Sequence, residues 1–235
     1  SGPIDEQVFL NTSFDQRGNA LTQEVVKRAY MDSEWKFSEA QDITNTYDIH
    51  DRATHSVISN FDSADKKTRA FIDLQDVRYN SFDRFGNVLT QSIDTYSTST
   101  VDSAGFVNRK TIVNTYNDTV EVGGVMVSGV VAQRRGNPTT SVVTKYSDLT
   151  EKVIIDRTTT TSSSFDTRGN AIDQVSVTEV TDSLGSLVST SKRVIHNDPS
   201  SIDNRGDAAL QEVTTYLIDG ATETLVSFEL YTNRR

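Results

Sequence analysis

The sequence predicts an all-β protein, an antiparallel array of β-hairpins, on three observations. A short turn motif recurs along the 235 residues, Ser, Thr and Val fill the segments between its copies, and apolar spacing at the helical period is nowhere sustained. β-Branched residues fit a pleated sheet better than a helix. Residues 174–180 and 225–231 alternate apolar and polar side chains, which is typical of half-buried strands. We therefore expect a meander, a spiral sheet or a solenoid-like stack.

The recurring motif is an aromatic residue followed by Asp-x-x-Gly-Asn. It is complete at 14–19, 82–87 and 165–170, and it returns at 202–207 with Ile first and Asp last. In such a turn the aspartate accepts hydrogen bonds from backbone N–H groups just ahead, and Gly-Asn is expected to supply the positive φ that closes a hairpin. The predicted structural turn residues are Asp15, Gly18, Asn19, Asp83, Gly86, Asn87, Asp166, Gly169, Asn170, Asp203, Gly206 and Asp207.

The motif divides residues 1–235 into one repeat domain of about six units, each of about 35 residues. The copies at 47–52 and 132–137 are degenerate, the first lacking the glycine and the second lacking the aromatic residue and the aspartate. The wide third spacing of 50 residues predicts an inserted hairpin at about 117–131. A second, weaker turn signal lies about halfway through each unit, so each unit is expected to hold two strands. The units begin near residues 14, 47, 82, 132, 165 and 202.

The least β-like segment is Tyr30 to Ala40, which we predict to be strand because Glu34 to Phe37 also alternates. The core is expected to be thin. The apolar share is 35 %, and the 12 glycines raise it only to about 40 %, below the roughly 45–50 % of an ordinary globular domain.

Charge and composition exclude several functions. With 33 acidic against 23 basic residues the net charge is −10, so binding to a nucleic acid or to an anionic membrane surface is not expected. The chain has no cysteine, and no apolar run approaches the roughly 18 residues that span a bilayer. Ser1-Gly2-Pro3 has the form of a tag-cleavage remnant. We therefore expect a segment of a longer protein.

The aromatic-Asp-x-x-Gly-Asn motif at 14–19, 82–87 and 165–170 resembles the YD repeats of the Rhs family. In that family long β-hairpins wind into a spiral sheet that forms shells or stalks on large bacterial secreted or surface proteins. The resemblance implies a non-enzymatic structural segment, a stalk, shell wall or fibre, that is secreted or displayed at the cell surface. It also implies that neighbouring repeats of the same parent chain are the main partners.

No catalytic, cofactor or metal site is predicted. The Gly-x-Ser-x-Gly motif is absent, and no Ser, His and Asp set stands out. His50 and His55 could meet a metal near Asp48 or Asp51, but solvated loop histidines are the simpler interpretation. Calcium at the turn aspartates is a weak alternative, because Ca²⁺ needs six to eight oxygen ligands and an arginine follows two residues later in three of the four turns.

The alternative function is an adhesin or a carbohydrate-binding or ligand-binding β module, with self-association or a host or cell-surface ligand as the interaction. Exposed Trp35, Phe37, Tyr96 or Tyr231 would then stack on a ligand, although such side chains more often face the core. The turn arginines Arg17, Arg168 and Arg205 are each expected to pair with an Asp or Glu of a neighbouring unit. A glutamine four residues after each turn, at Gln23, Gln91, Gln174 and Gln211, is expected to form an amide ladder.

Overall fold

The structure is a computed structural model that describes residues 5–232. The tag remnant inferred at Ser1–Pro3 lies outside these residues. Strands make up 65 % of the chain and helices 4 %, and the strands form one antiparallel sheet in meander order that does not close. The all-β hairpin array predicted from the sequence is therefore confirmed.

Fifteen strands and one short α-helix, α1 (Val130–Arg135), are described within residues 5–232, with a 3₁₀ turn at Pro199–Ser201. The strands are β1 (Asp5–Phe14), β2 (Ala20–Met31), β3 (Glu34–Tyr47), β4 (Ala53–Phe61), β5 (Phe71–Phe82), β6 (Val88–Tyr96), β7 (Phe106–Thr115), β8 (Thr119–Val122), β9 (Val125–Ser128), β10 (Thr140–Tyr146), β11 (Ile154–Phe165), β12 (Ala171–Thr181), β13 (Leu187–Asn197), β14 (Leu210–Asp219) and β15 (Thr222–Thr232).

Sheet order follows chain order, except that β10 follows β7 because β8 and β9 leave the main path. β8 and β9 form a small hairpin around Gly123 and Gly124, whose φ angles are 57° and 83°. β8 also makes a short parallel contact with β11, where Glu121 lies opposite Ser164. The helix α1 follows this hairpin and ends at Gly136, in the left-handed conformation. None of the helices within residues 5–232 is long and apolar enough to cross a membrane.

The segment from Tyr30 to Ala40 is strand, apart from a two-residue turn at Asp32 and Ser33. Both turn residues have positive φ, 54° and 66°. Two consecutive left-handed residues are the signature of the tight hairpin turn that matches the twist of its strands. The preference for strand at this segment is thus confirmed.

The chain divides into two compact units, each of which gathers pieces that are distant in sequence. The first unit holds the residues up to Asn80, Gln91–Lys110 and Ser147–Leu149, and the second holds Ser81–Thr90, Thr111–Tyr146 and the residues from Thr150 on.

The core is thin, as expected from the low apolar share. In the first unit Val25 and Ala40 are each 2 % exposed and belong to the paired strands β2 and β3. In the second unit Val120 and Ala132 cover Phe165 at the end of β11. The hairpin of β8 and β9 and the helix α1 therefore bury an aromatic side chain that a single sheet would leave in water.

Candidate functional site

The most organised polar feature is the recurring turn. At its first copy Asp15 Oδ1 accepts hydrogen bonds from the backbone N–H groups of Arg17 and Asn19, at 2.8 and 2.9 Å. Asp15 Oδ2 accepts a third from Asn19 Nδ2, at 3.0 Å. Gly18 has φ of 91°, a backbone conformation that is strained for a residue with a side chain. The aspartate thus satisfies three donors of its own turn.

The second and third copies repeat this geometry. Asp83 and Asp166 accept the Nδ2 donors of Asn87 and Asn170, each at 2.8 Å. In these turns the glycine has positive φ and the asparagine that follows it does not. The prediction that the asparagine shares this role was wrong, because its function is to donate its amide to the aspartate.

The fourth copy, at 202–207, differs in setting and in one bond. It lies within the long connection between β13 and β14, closed by an isolated bridge between Ile202 and Ala208. Asp203 Oδ1 accepts the backbone N–H groups of residues 205, 206 and 207. Since Asp207 replaces the asparagine, the side-chain amide bond of the other copies cannot form. At the degenerate copy, residues 132–137, the chain instead forms the end of α1 and its left-handed cap at Gly136.

Hydrogen bonding lowers the pKa of the turn aspartates. The side-chain amide of the turn asparagine is the main cause for Asp15. The Arg52 guanidinium lowers the pKa of Asp48, in the degenerate second turn, to about 2. Burial is the largest influence on Asp83 and Asp166 and acts in the opposite direction, but the hydrogen bonds from their turn asparagines and from the other turn and neighbouring groups together outweigh it, so the pKa of each is lowered. The carboxylates are therefore held in their charged form.

In the first unit, side chains join the turns at 15–19 and 48–52, which follow each other along one edge of the sheet. Asn19 Nδ2 and Arg17 Nη1 both contact Asp51 Oδ1, at 2.8 and 3.0 Å. The hydroxyl of Tyr47 donates to the carbonyl of Ala20 at 2.9 Å. The expected pairing of a turn arginine with a neighbouring unit therefore occurs at Arg17.

In the second unit a longer series of bridges joins the connections at one end of the strands. Asn87 Nδ2 donates to the carbonyl of Gln133 at 2.6 Å, and Gln133 Nε2 donates back to Asp83 Oδ2 at 2.9 Å. Asn137 Nδ2 donates to the carbonyl of Gly169 at 2.7 Å. Arg168 then reaches the next turn, where it donates to the carbonyls of residues 202 and 203. Within the second unit, each connection of this series is thus bonded to the next.

A second recurring residue was missed in the sequence. Asn45, Asn114 and Asn197 each donate Nδ2 to the carbonyl of the residue that follows a turn asparagine, at 3.2, 2.9 and 2.9 Å. The sequence separations are 25, 26 and 26 residues. This constant spacing, together with the shared Asn-Thr-Tyr at 45–47 and 114–116, was the available signal.

The glutamines after the turns do not form the expected ladder. Gln23 donates to Asn11, Gln174 to Ser162 and Gln211 to Asn197, at 2.8, 3.1 and 2.8 Å. Each of these partners lies on the adjacent strand. The ladder was wrong because the glutamines lie on β2, β6, β12 and β14, and other strands separate each from the next.

In the first unit, two carboxylates on strands are almost fully buried and paired. Asp94 is 4 % exposed and receives both Nε and Nη2 of Arg109, at 2.6 and 2.7 Å. Asp76 is 3 % exposed and contacts the side chains of His55 and Arg78. The Asp94–Arg109 and Asp76–His55 pairs each join two neighbouring strands, and breaking a buried pair of this kind leaves an uncompensated charge.

The first unit also has an arginine that is held by a bidentate contact with a carboxylate. Arg69 donates Nη1 to Asp42 Oδ1 at 3.0 Å and Nη2 to Asp42 Oδ2. Its guanidinium carbon lies 3.7 Å from the centre of the Phe61 ring. The planar guanidinium therefore binds a carboxylate and packs on an aromatic ring at the same time.

The histidines do not form the metal pair considered from the sequence. His50 contributes its backbone N–H to Asp48 Oδ1 at 2.8 Å, whereas the His55 ring bonds to Asp76. Within residues 5–232, no group of three or more His, Asp or Glu side chains is placed to hold a metal ion. The oxygens of a turn aspartate such as Asp15 already accept N–H donors, so a calcium ion would have to displace them.

Ser164, Asp173 and His196 meet on three adjacent strands of the second unit. Asp173 Oδ2 accepts the hydroxyl of Ser164, and Asp173 Oδ1 lies 2.6 Å from His196 Nδ1. In serine hydrolases the histidine lies between the other two residues and takes the serine proton. Here the aspartate is in the middle, so the trio cannot activate the serine by that route.

Two clefts border the turn at 166–170. The larger, about 490 Å³, lies beside the β8–β9 hairpin and mixes apolar Phe165 and Ile172 with Arg168 and Asp173. The smaller, about 260 Å³, is lined by amides and two arginines. No protein-family model and no curated protein sequence matches this chain.

Proposed function

We propose that this chain is a non-enzymatic structural segment, a stalk, shell wall or fibre of a large secreted or cell-surface protein. The hydrogen bonding between neighbouring turns is the observation that carries the proposal. Side chains such as Asn87 and Arg168 donate to the next turn instead of pointing freely at a ligand. An edge whose polar groups bond to one another suits a wall that holds its register. The resemblance of the turns to YD repeats supports the same function.

The end strands provide a second support. Phe9 on β1 and Phe228 on β15 are each 59 % exposed, whereas Leu74 on the inner strand β5 is 3 % exposed. Unpaired edges with apolar side chains are templates for further strands. In a longer array the next strand would cover them.

The order of turns makes β15 the equivalent of β1. Both β5 and β11 precede a complete aromatic-Asp-x-x-Gly-Asn turn, as β1 does, and three strands lie between successive members of this series on the main path. β15 lies at the next position of this spacing, four positions after β11. A second copy could therefore continue the array if its β1 replaced β15 of the first.

The test is a tandem fusion in which residue 221 of one copy is joined to residue 5 of the next. Nearest-neighbour stabilisation predicts that this fusion unfolds at a higher denaturant concentration than the single chain, with unchanged circular dichroism per residue. The control joins two complete chains through a flexible Gly/Ser linker and should unfold like the single chain. A fusion that aggregates, or that unfolds no later than the control, would contradict the proposal.

A second candidate, a carbohydrate-binding or adhesin surface, is favoured by one aromatic group in the first unit. Tyr30 and Trp35 pack edge to face with ring centres 5.2 Å apart, and Phe37 follows two residues along β3. These three side chains are 41, 39 and 39 % exposed. Tyr96 cannot contribute, because it is buried against Phe106.

Trp35 is the single tryptophan of the chain, so its fluorescence reports this surface directly. Binding of neutral oligosaccharides would change its emission in a saturable manner, and Phe37→Ala would weaken the effect. Unchanged emission across a panel of oligosaccharides would leave the structural proposal as the better account.

A further inference from the structure

The smaller cleft of the second unit collects positive charge. It lies between the end of α1 and the turns at 166–170 and 202–207, and Arg135 and Arg205 both line it. Its other polar side chains are amides, and no carboxylate is among its lining residues. For a chain with a net charge of −10 this is a locally cationic place.

Arg135 is held in position by neutral acceptors. Its Nε donates to Asn170 Oδ1 at 3.0 Å, and its Nη2 donates to the carbonyl of Asn204 at 2.9 Å. Neither acceptor neutralises the guanidinium, and its Nη1 has no hydrogen bond within residues 5–232. A positioned guanidinium with an unused N–H edge is ready to bind an anion.

Arg205 differs from the equivalent arginine of the first turn. Arg17 is paired with Asp51 at 3.0 Å, whereas no carboxylate in the described part of the chain lies within ion-pair distance of Arg205. The nearby Asp203 uses Oδ1 to accept backbone N–H groups of its own turn. The charge of Arg205 helps to lower the pKa of Asp203, but no hydrogen bond or ion pair within residues 5–232 holds its guanidinium, so its N–H donors are available to a ligand.

Gly206 keeps the cleft open. A Cβ at this position would lie 2.7 Å from Asn170 Oδ1 and 3.1 Å from Arg135 Nη2. A side chain would therefore fill the space between the amide and the guanidinium. Glycine is thus required here for two reasons, the space of the cleft and the positive φ of 101°.

We propose that this cleft binds a single oxyanion group, a carboxylate, sulfate or phosphate, between Arg135 and Arg205. The guanidinium fork matches two oxygens of such a group, and the remaining N–H donors of the lining amides can complete its hydrogen bonds. The group could be a free inorganic anion or the acidic end of a polar molecule such as a uronic acid.

The experiment is an NMR titration of the full chain with sodium sulfate, sodium glucuronate and glucose at constant ionic strength. We expect saturable shifts at the Gly206 amide and at Arg135 Nε with sulfate or glucuronate, and none with glucose. Shifts with sulfate alone would assign the site to an inorganic anion, and shifts with glucuronate would extend it to organic acids.

Arg205→Gln should weaken binding about tenfold, the size of a lost charge-assisted hydrogen bond. Its side chain has no hydrogen bond in the described structure, so the variant should keep the wild-type fold and spectrum. Arg17→Gln, the same replacement in the first turn, is the matched control and should leave the affinity unchanged. Absence of saturable shifts, equal shifts with glucose, or unchanged affinity in Arg205→Gln would overturn the proposal.

Discussion

Gly169→Ala tests whether the turn at 166–170 is packed against α1 or merely closes a hairpin. Gly169 has φ of 84°, close to the 91° of Gly18 in the first turn, so an alanine at either position is strained by about 1–2 kcal/mol. The surroundings differ. A Cβ on Gly169 would lie 2.6 Å from the carbonyl oxygen of Val131 and 2.7 Å from the amide nitrogen of Ala132, whereas nothing lies within 4 Å of one on Gly18.

The clash at Gly169 cannot be relieved by rotating a side chain, because both contact atoms belong to the backbone. Moving α1 would also displace Ala132, which is 1 % exposed in the cluster around Phe165. Overpacking of this kind costs about 1–3 kcal/mol. Added to the strain, it predicts a loss of about 2–5 kcal/mol for Gly169→Ala, against about 1–2 kcal/mol for Gly18→Ala.

Chemical and thermal denaturation, both followed by circular dichroism, measure the difference between the two variants. For a chain of this length the predicted losses correspond to falls in Tm of about 4–20 °C for Gly169→Ala and about 2–8 °C for Gly18→Ala. Amide hydrogen exchange in α1 should accelerate only in Gly169→Ala. Equal destabilisation by the two substitutions, with α1 equally protected, would refute the packing of this turn against the helix.

Three other features of the fold can be tested by substitution or by a change of pH. Ser33→Gly should raise the free energy of unfolding by about 0.5–1 kcal/mol because it removes left-handed strain. Ser183→Gly, at a turn residue without positive φ, should lower the free energy of unfolding by a similar amount. A loss of stability in Ser33→Gly or a gain in Ser183→Gly would contradict the strain at Ser33. Arg69→Lys should lower the free energy of unfolding by about 1–3 kcal/mol, measured by urea denaturation, because lysine cannot keep both the bidentate contact with Asp42 and the contact with the Phe61 ring. An unchanged free energy of unfolding would show that these two contacts do not stabilise the fold. Acid should destabilise the fold, because the pKa of the turn aspartates is lower in the folded state than in the unfolded chain. The stability that each carboxylate contributes is complete above the unfolded pKa of about 3.9 and is lost as the pH falls through the folded pKa, which is about 2 for Asp48. Asp166→Asn should flatten the fall in Tm between about pH 5 and pH 2, and a slope as steep as that of the wild type would argue against the turn carboxylates.

The fold class could be predicted from local information because the turn chemistry and the strand period are both short-range. An aspartate followed by a glycine three residues later predicts a turn regardless of the tertiary structure around it. The strand at Tyr30 to Ala40 was predictable for the same reason, since Trp35 and Phe37 lie on one face and the intervening residue on the other.

The contacts between turns could not be predicted in detail, because they depend on which strands are neighbours. Asn45 finds a carbonyl 25 residues earlier only after β2 and β3 have paired. The glutamine ladder failed for the same reason, as a fixed distance from a turn does not place residues on adjacent strands. The helix α1 was missed because its six residues, rich in Val and Arg, are too few to display a helical period.

The central claim, that neighbouring turns hold each other in register, is tested most directly by a double-mutant cycle on Asp83 and Gln133. Their side chains meet at 2.9 Å across two different connections of the second unit. The single variants Asp83→Ala and Gln133→Ala and the double variant would be compared by urea denaturation. The predicted coupling free energy is about 0.5–1.5 kcal/mol in favour of the pair. Additive effects of the two substitutions, with a coupling of about zero, would contradict the claim.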